Sequence, residues 1–406
     1  MNSNGNSTMH VFKNLFKYSI RTIWQMKFRY HSKIMSILIK KSSKIVVFNL
    51  DLHISVIADL SDQLKSKKFK LIQWSISSHN FVFRKLFKIP DPVEYINHVS
   101  WRKLSPSLIE GFNSKYVKIL QEVDFFVVTH TPSFVQIYER YQKPILCINS
   151  TRYEAPYSNS IEQWRKLNDS LRRGYESGIL TIWSNNKVDQ GYLSQISGIQ
   201  SDLVPSLCSY VGCKWKPKNQ ILIFIAKTEK ERNFLRKKLG DKWVSAKEAF
   251  GKNYKYEKLA NVSAVFFLPY QLSTMTLFEL ATMGVPVIVP SREFLKKLRC
   301  ENLPILSELF YTSVDNMCDS LLSQGVEIDW LTDMDWWLDK ADFYDSNLMP
   351  NVITVDSFEE VNCIRIPNWN QEWMNRIDQR NSSLKKIRKM HFEDFLTKTR
   401  ISFLQK

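Results

Sequence analysis

From Lys44 onward the chain alternates short apolar runs with amphipathic stretches, and this alternation constrains the fold more than any other feature. "KIVVFNLDLH" reads as a buried strand, "ISVIADLSDQLKSK" as an amphipathic helix and "FKLIQWSIS" as the next strand. Strand, helix, strand in that order implies a parallel sheet with right-handed crossovers, because parallel neighbours cannot be joined by a tight turn. After a less regular stretch from Ser78 to about Ser107, "SLIEGFNSKYVKILQEV" is a predicted helix feeding the strand "DFFVVTH". "SFVQIYERY" is a helix feeding "PILCINS", and "GILTIWSNN" is a further strand. "CKWKPKNQ" then interrupts the pattern as a polar, basic segment carrying Pro217, which marks a linker. Past it come the strand "ILIFIAK", the charged helix "EKERNFLRKKLG" and the strands "SAVFFLPY" and "PVIVPS", and "PNVITVDSFEEVNCI" repeats the theme.

The expected fold is therefore α/β, with two Rossmann-like doubly wound domains facing a cleft. A length of 406 residues agrees, being too great for one typical core. The predicted division is a basic leader over 1–43, a first domain over 44–212, a linker over 213–219, a second domain over 220–365 and a C-terminal helical segment over 366–406. Ligands of such sheets bind beyond the carboxyl ends of the strands, so the cleft is the expected site. Six scattered cysteines with no Cys-x-x-Cys pair read as reduced thiols, and no structural zinc is expected.

A net charge of +17 suits nucleic acid, an anionic membrane surface or anionic substrates. Its distribution narrows the choice. Lys13, Lys17, Arg21, Lys27, Arg29, Lys33, Lys40, Lys41 and Lys44 all precede the first acidic residue, Asp51. Phe12, Phe16, Ile20 and Trp24 recur every four residues beside Lys13, Lys17 and Arg21, so a helix here presents an apolar ridge flanked by cations. Such a helix either lies in a lipid headgroup region or docks on the protein's own core. Its charges forbid a bilayer span, and the expected location is cytoplasmic, peripheral on the cytosolic face of a membrane.

The stretch "QLSTMTLFELATMGVP" raises the sharpest chemical question, because it sets a carboxylate, Glu279, inside a short apolar helix just past a hydroxyl-rich turn. If the helix starts near Ser273 or Thr274, its free N–H groups face the cleft and favour a phosphate or diphosphate. Ser273, Thr274 and Thr276 would add hydroxyl donors, and Glu279 would reach a ribose attached to that diphosphate. Gly284 should end the helix in a left-handed conformation. Thr276 and Glu279 equally fit a capping box, in which the glutamate only returns a hydrogen bond to the helix start.

The longer run "YEKLANVSAVFFLPYQLSTMTLFELATMGVPVIVPS" resembles the donor-binding segment of GT-B fold glycosyltransferases, especially the group 1 or family-four type. In that family two glutamates flank seven residues ahead of a Gly-x-Pro and a strand. Glu279 matches the second, which holds the ribose of the nucleotide sugar; Gln271, beside Tyr270, falls on the first, which contacts the transferred sugar. The family also neutralises the diphosphate with an arginine after the first strand of the second domain and a lysine five residues later. Here Lys227 and Arg232 occupy those positions with their types exchanged. The alternative is that both belong to a solvated helix.

On the acceptor side, His130 ends "DFFVVTH" and resembles a histidine that GT-B enzymes place near the transferred sugar. Asp51 and His53 follow the first strand, where inverting relatives place a base, and histidine has an unperturbed pKa suited to that work. Arg152, Tyr153 and Glu154 follow another strand and are candidate acceptor ligands, although Arg152 equally fits an ion pair with Glu154. Asp333 and Asp335 form an Asp-x-Asp of the kind that holds a divalent ion in another transferase fold, but helix capping explains it too.

The resemblance thus implies metal-independent transfer of a sugar from a nucleotide-diphosphate donor, a UDP- or GDP-sugar, to a glycan or glycolipid acceptor, with no further cofactor. A sugar-nucleotide epimerase of the same fold is one alternative. A basic nucleic-acid-binding protein is another; it would interleave aromatic and basic residues on one face, whereas the cations here gather in the leader and on helices, so no nucleic-acid partner is expected.

Overall fold

The computed structural model describes residues 19, 21–30, 32, 43–77, 90–157, 160–218, 220–251, 254–299, 305–306, 322, 325, 327–366 and 370–399. Two parallel sheets carry the architecture, and the α/β fold of two doubly wound domains is what the alternating pattern anticipates. The first sheet contains β1 (Ile45–Asp51), β2 (Phe69–Ser75), β3 (Phe125–His130), β4 (Ile145–Asn149), β5 (Leu180–Ser184) and β6 (Asp202–Leu203), ordered β2-β1-β3-β4-β5-β6. The second contains β7 (Leu222–Ile225), β8 (Trp243–Ser245), β9 (Ala264–Phe267), β10 (Val287–Pro290) and β11 (Val352–Val355), ordered β11-β10-β9-β7-β8. β1 is buried along its whole length because helices cover both faces of a parallel sheet.

In each sheet the chain leaves its first strand in one direction and its third strand lies on the other side. This reversal places a topological switch point between β1 and β3 and another between β7 and β9. The crevices of the two domains open there, beyond Asp51 and His130 in one and beyond Ile225 and Phe267 in the other. The helices that bear on these crevices are α1 (Ile54–Leu64), α2 (Pro106–Leu120), α3 (Ile161–Glu176), α4 (Lys187–Ser197), α5 (Glu229–Leu239), α6 (Met275–Met283) and α7 (Gln371–Lys398). The crossover expected at "SFVQIYERY" is only one helical turn, Val135–Tyr138, between two 3-10 turns.

The linker is pinned rather than free. Trp215 is buried, its backbone N–H donates to Met283 O at 2.7 Å and its indole to Val262 O at 2.8 Å. Just before it, Cys208 and Gly212 both take left-handed backbone around the 3-10 turn Ser209–Val211, so the bend between the domains is built from that turn. The long helix α7 then crosses back over both domains. Trp373 near its start donates to Gly284 O at 2.8 Å, whereas Phe392 and Phe395 near its end pack with Phe69 and Phe125 of the first domain.

Of the leader, residues 21–30 are helical, with Phe28 buried against Trp74 at a ring-centroid distance of 5.2 Å and Trp24 half-buried. The remainder of the predicted ridge, Phe12, Phe16 and Ile20, lies outside the described residues. Among the described residues, no helix is long and apolar enough to cross a membrane.

Candidate functional site

The second domain's crevice is built by α5 and α6. After β7, Lys227 precedes Thr228, which caps α5 in a full capping box: Thr228 Oγ1 accepts from Glu231 N at 3.1 Å, and Glu231 Oε2 accepts from Thr228 N at 2.8 Å. Glu231 also accepts from Lys227 N at 2.6 Å. The box fixes the backbone at the strand end and leaves the Lys227 ammonium 4.4 Å from the Tyr270 ring centroid, a cation–π contact across the switch point. Arg232 is largely buried, with Glu229 at the 4.0 Å limit of an ion pair. Arg232 is therefore withdrawn from the solvated face of α5, whereas Lys227 stays exposed at the strand end.

Helix α6 begins where the turn predicts, with Thr274 at the N-cap in extended backbone. No side chain caps it. The expected capping box between Thr276 and Glu279 does not form. Thr274 itself is only 4% exposed, and its Oγ1 is a buried hydroxyl with no hydrogen-bond partner among the described residues. A helix start of this kind can receive an anion on its first N–H groups. Ser273, Thr276, Gln271 and Tyr270 are all half-buried around it.

Glu279 lies one turn further in, 8% exposed. Two phenols address the same oxygen: Tyr210 Oη donates to Oε1 at 2.6 Å and Tyr256 Oη at 2.8 Å. Burial raises the carboxyl above its ordinary pKa, and the two phenolic hydrogen bonds oppose that shift. Among the described residues nothing donates to Oε2, so this oxygen can accept from a ligand. Tyr210 sits in the bend between the domains, which ties the carboxylate to the geometry of the cleft.

The opposite wall is the β1/β3 switch point. His53 and His130 meet there as a stacked pair, ring centroids 5.2 Å apart. His130 has φ 77°, the left-handed region that a non-glycine residue enters only when its surroundings dictate it. Burial, with His53 adding to it, lowers the His130 imidazole to about 3, so this ring is neutral at physiological pH and weakly basic. Asp51 is fully buried. Its Oδ2 accepts from Ser75 Oγ and Ser77 Oγ, each at 3.1 Å. Burial raises its carboxyl to about 7 against the pull of those serines and of the His53 backbone. With no exposed surface, Asp51 cannot touch a substrate here and acts instead by holding the strand end that carries His53.

Met275, at the start of α6, links the two walls. Its sulfur is 3.5 Å from Asn185 Nδ2 and 3.6 Å from Ser206 Oγ, both just past strands of the first sheet. The amino end of α6 thus faces the carboxyl edge of the first domain.

Two further expectations need correction. Tyr153 is wholly buried, with its hydroxyl donating to Asn168 at 2.7 Å and accepting from Trp164 at 2.9 Å, so it belongs to the core. Glu154 is also buried, where it accepts from Arg152 Nε at 3.1 Å and from Tyr192 Oη at 3.0 Å. The pairing foreseen for Arg152 therefore exists, but as an internal one, and an acceptor cannot reach either the Tyr153 hydroxyl or the Glu154 carboxylate in this arrangement. For the Asp-x-Asp the capping reading holds: Asp333 caps a short helix by accepting from Asp335 N at 2.9 Å, and Asp335 pairs with Lys296 at 2.6 Å. Among the described residues no cluster of three His, Cys, Asp or Glu side chains could hold a metal ion.

Tyr210 and Tyr256 escaped sequence reading. Tyr256 opens the run that carries the resemblance, but only the folded chain shows that it serves Glu279.

No protein family profile matches the sequence. No curated protein matches it either. Among solved structures, the chain is similar to a glycotransferase of kitacinnamycin, with 10% identity, a TM-score of 0.40 and coverage of 88% of this chain and 99% of that one. It is likewise similar to the glycosyltransferase SnogD from Streptomyces nogalater, with 12% identity, a TM-score of 0.39 and coverage of 87% and 100%.

Proposed function

We propose that this chain is a GT-B type glycosyltransferase that moves a sugar from a nucleoside-diphosphate donor to an acceptor hydroxyl. The observation that carries the reading is the uncapped amino end of α6 with the buried, unsatisfied Thr274 hydroxyl, set across the switch point from Lys227. In this reading the diphosphate lies on that helix end, with Ser273 and Thr276 as further donors. Lys227 and Arg232 balance the charge released as the anomeric C–O bond breaks, so the leaving group needs no metal. Glu279 Oε2 accepts from the ribose, and Gln271 and Tyr270 border the sugar.

On the facing wall His53 takes the proton of the acceptor hydroxyl while the oxygen forms its bond to the anomeric carbon. Asp51 holds the His53 backbone, and the neutral His130 ring supports the imidazole by stacking. The acceptor is a glycan or glycolipid.

A thermal-shift screen with UDP, GDP, CDP and ADP, repeated on Thr274→Val, tests the reading. One nucleotide should raise the melting temperature of the parent, and the valine variant should bind it roughly tenfold more weakly, since one buried charge-assisted hydrogen bond is removed. Absence of any nucleotide response, or undiminished affinity in Thr274→Val, would overturn it. A labelled nucleotide sugar incubated without acceptor then separates transfer from epimerisation, because only an epimerase converts it alone.

A further inference from the structure

Over residues 21–30 the leader helix shows two apolar faces, of which one packs on the fold among the described residues. Phe28 is buried on Trp74, and the helix is further held by an ion pair of 3.7 Å between Arg29 and Glu94. Ile23, Met26 and Tyr30 are instead 63%, 68% and 69% exposed. At roughly 100° per residue these three fall within an arc of about 60°, whose middle lies about 170° from Phe28. They therefore form a single outward face rather than scattered exposures. On the same wheel Lys27 and Arg29 stand on opposite edges of that face. The sequence around it carries nine lysines and arginines before Asp51 and no acidic residue.

An apolar face edged by cations, on a helix whose opposite side is anchored in a folded domain, has the chemistry of an interfacial lipid contact. Apolar side chains enter the acyl boundary, and the flanking ammonium and guanidinium groups meet anionic headgroups. A second copy of this chain would present the same positive field and be repelled. We infer that Ile23, Met26 and Tyr30, with Lys27 and Arg29 at their edges, dock this protein on an anionic lipid surface. This surface differs from the side of the helix that carries Trp24 and Phe28, which turns toward the protein. The inference is independent of the proposed transfer, because donor binding at α6 and lipid binding at the leader are measured separately.

The test uses the full chain and sedimented vesicles of phosphatidylcholine alone or with roughly 30 mol% phosphatidylglycerol. Binding is expected to the anionic vesicles, to weaken in high salt and to be slight on phosphatidylcholine alone. The triple variant Ile23→Ser, Met26→Ser, Tyr30→Ser should lose at least about tenfold in partition with an unchanged melting temperature. Should that variant melt early, Lys27→Glu alone serves, with an expected loss of roughly fivefold or more. Failure of the parent to bind anionic vesicles, or undiminished binding by a folded variant, overturns the inference. So does light scattering that finds a stable dimer abolished by the triple variant while no vesicle binding is seen.

Discussion

Asp51 is a carboxylate whose pKa near neutrality reflects where it is buried. Because burial raises it from 3.8 to about 7, the folded chain retains a proton that the unfolded chain releases near pH 4. Between those values the folded state binds more protons, so its stability falls as pH rises through the window. At about 1.4 kcal/mol per unit this single group accounts for roughly 4 kcal/mol by pH 8. Asp51→Asn keeps the shape and an acceptor for Ser75 and Ser77 but cannot ionise. Urea unfolding should show the variant gaining a few kcal/mol on the parent between pH 4 and pH 8, and parallel stability curves would contradict the assignment. The places of Asp51, His53 and His130 at strand ends were legible in the sequence, because apolar runs mark where strands stop. The two tyrosines on Glu279 were not, since Tyr210 lies 69 residues away and Tyr256 23, and no local pattern links them.

Helix α6 shows which element-level signals survive folding. Its start, its length and its stop were all readable from a hydroxyl-rich turn, an apolar body and Gly284. Its capping chemistry was not: Thr274 and not Thr276 takes the N-cap position, which puts Leu277 where a capping box needs Glu or Gln. The stop is fixed twice over: Gly284 takes φ +80°, and a Cβ built there would meet Ile377 Cγ1 of α7 at 3.0 Å. Gly284→Ala should therefore cost roughly 1–3 kcal/mol in urea unfolding, from left-handed strain and from crowding against α7. In a companion Ile377→Ala, which removes the crowding Cγ1 and Cγ2 atoms, Gly284→Ala should cost less than it does in the parent. Full stability in Gly284→Ala would mean that α6 and α7 do not pack as described. The short strands β6 and β8 escaped sequence reading because two or three residues carry no periodicity.

At the scale of the whole molecule, the two sheets were written in local pattern, whereas the device that joins them was not. Asp59 of α1 accepts from Leu207 N and Cys208 N in the bend and pairs with Arg388 of α7 at 3.0 Å. Arg388 also donates to Pro205 O at 3.0 Å and to Asp59 O across 329 residues of sequence. Both side chains are buried, at 8% and 4% exposure, so each charge relies on the other. Arg388→Ala leaves an uncompensated carboxylate and removes the donor to Pro205 O and Asp59 O where first domain, bend and long helix meet. The expected loss is about 3–5 kcal/mol. Asp59→Asn added to Arg388→Ala removes the stranded charge while keeping an acceptor for Leu207 and Cys208, so it should restore part of that stability. The double variant should also bind nucleotide more weakly than the parent, because Tyr210 follows the same bend and positions Glu279. A double variant no more stable than Arg388→Ala would show that the ion pair is not what couples the bend to α7.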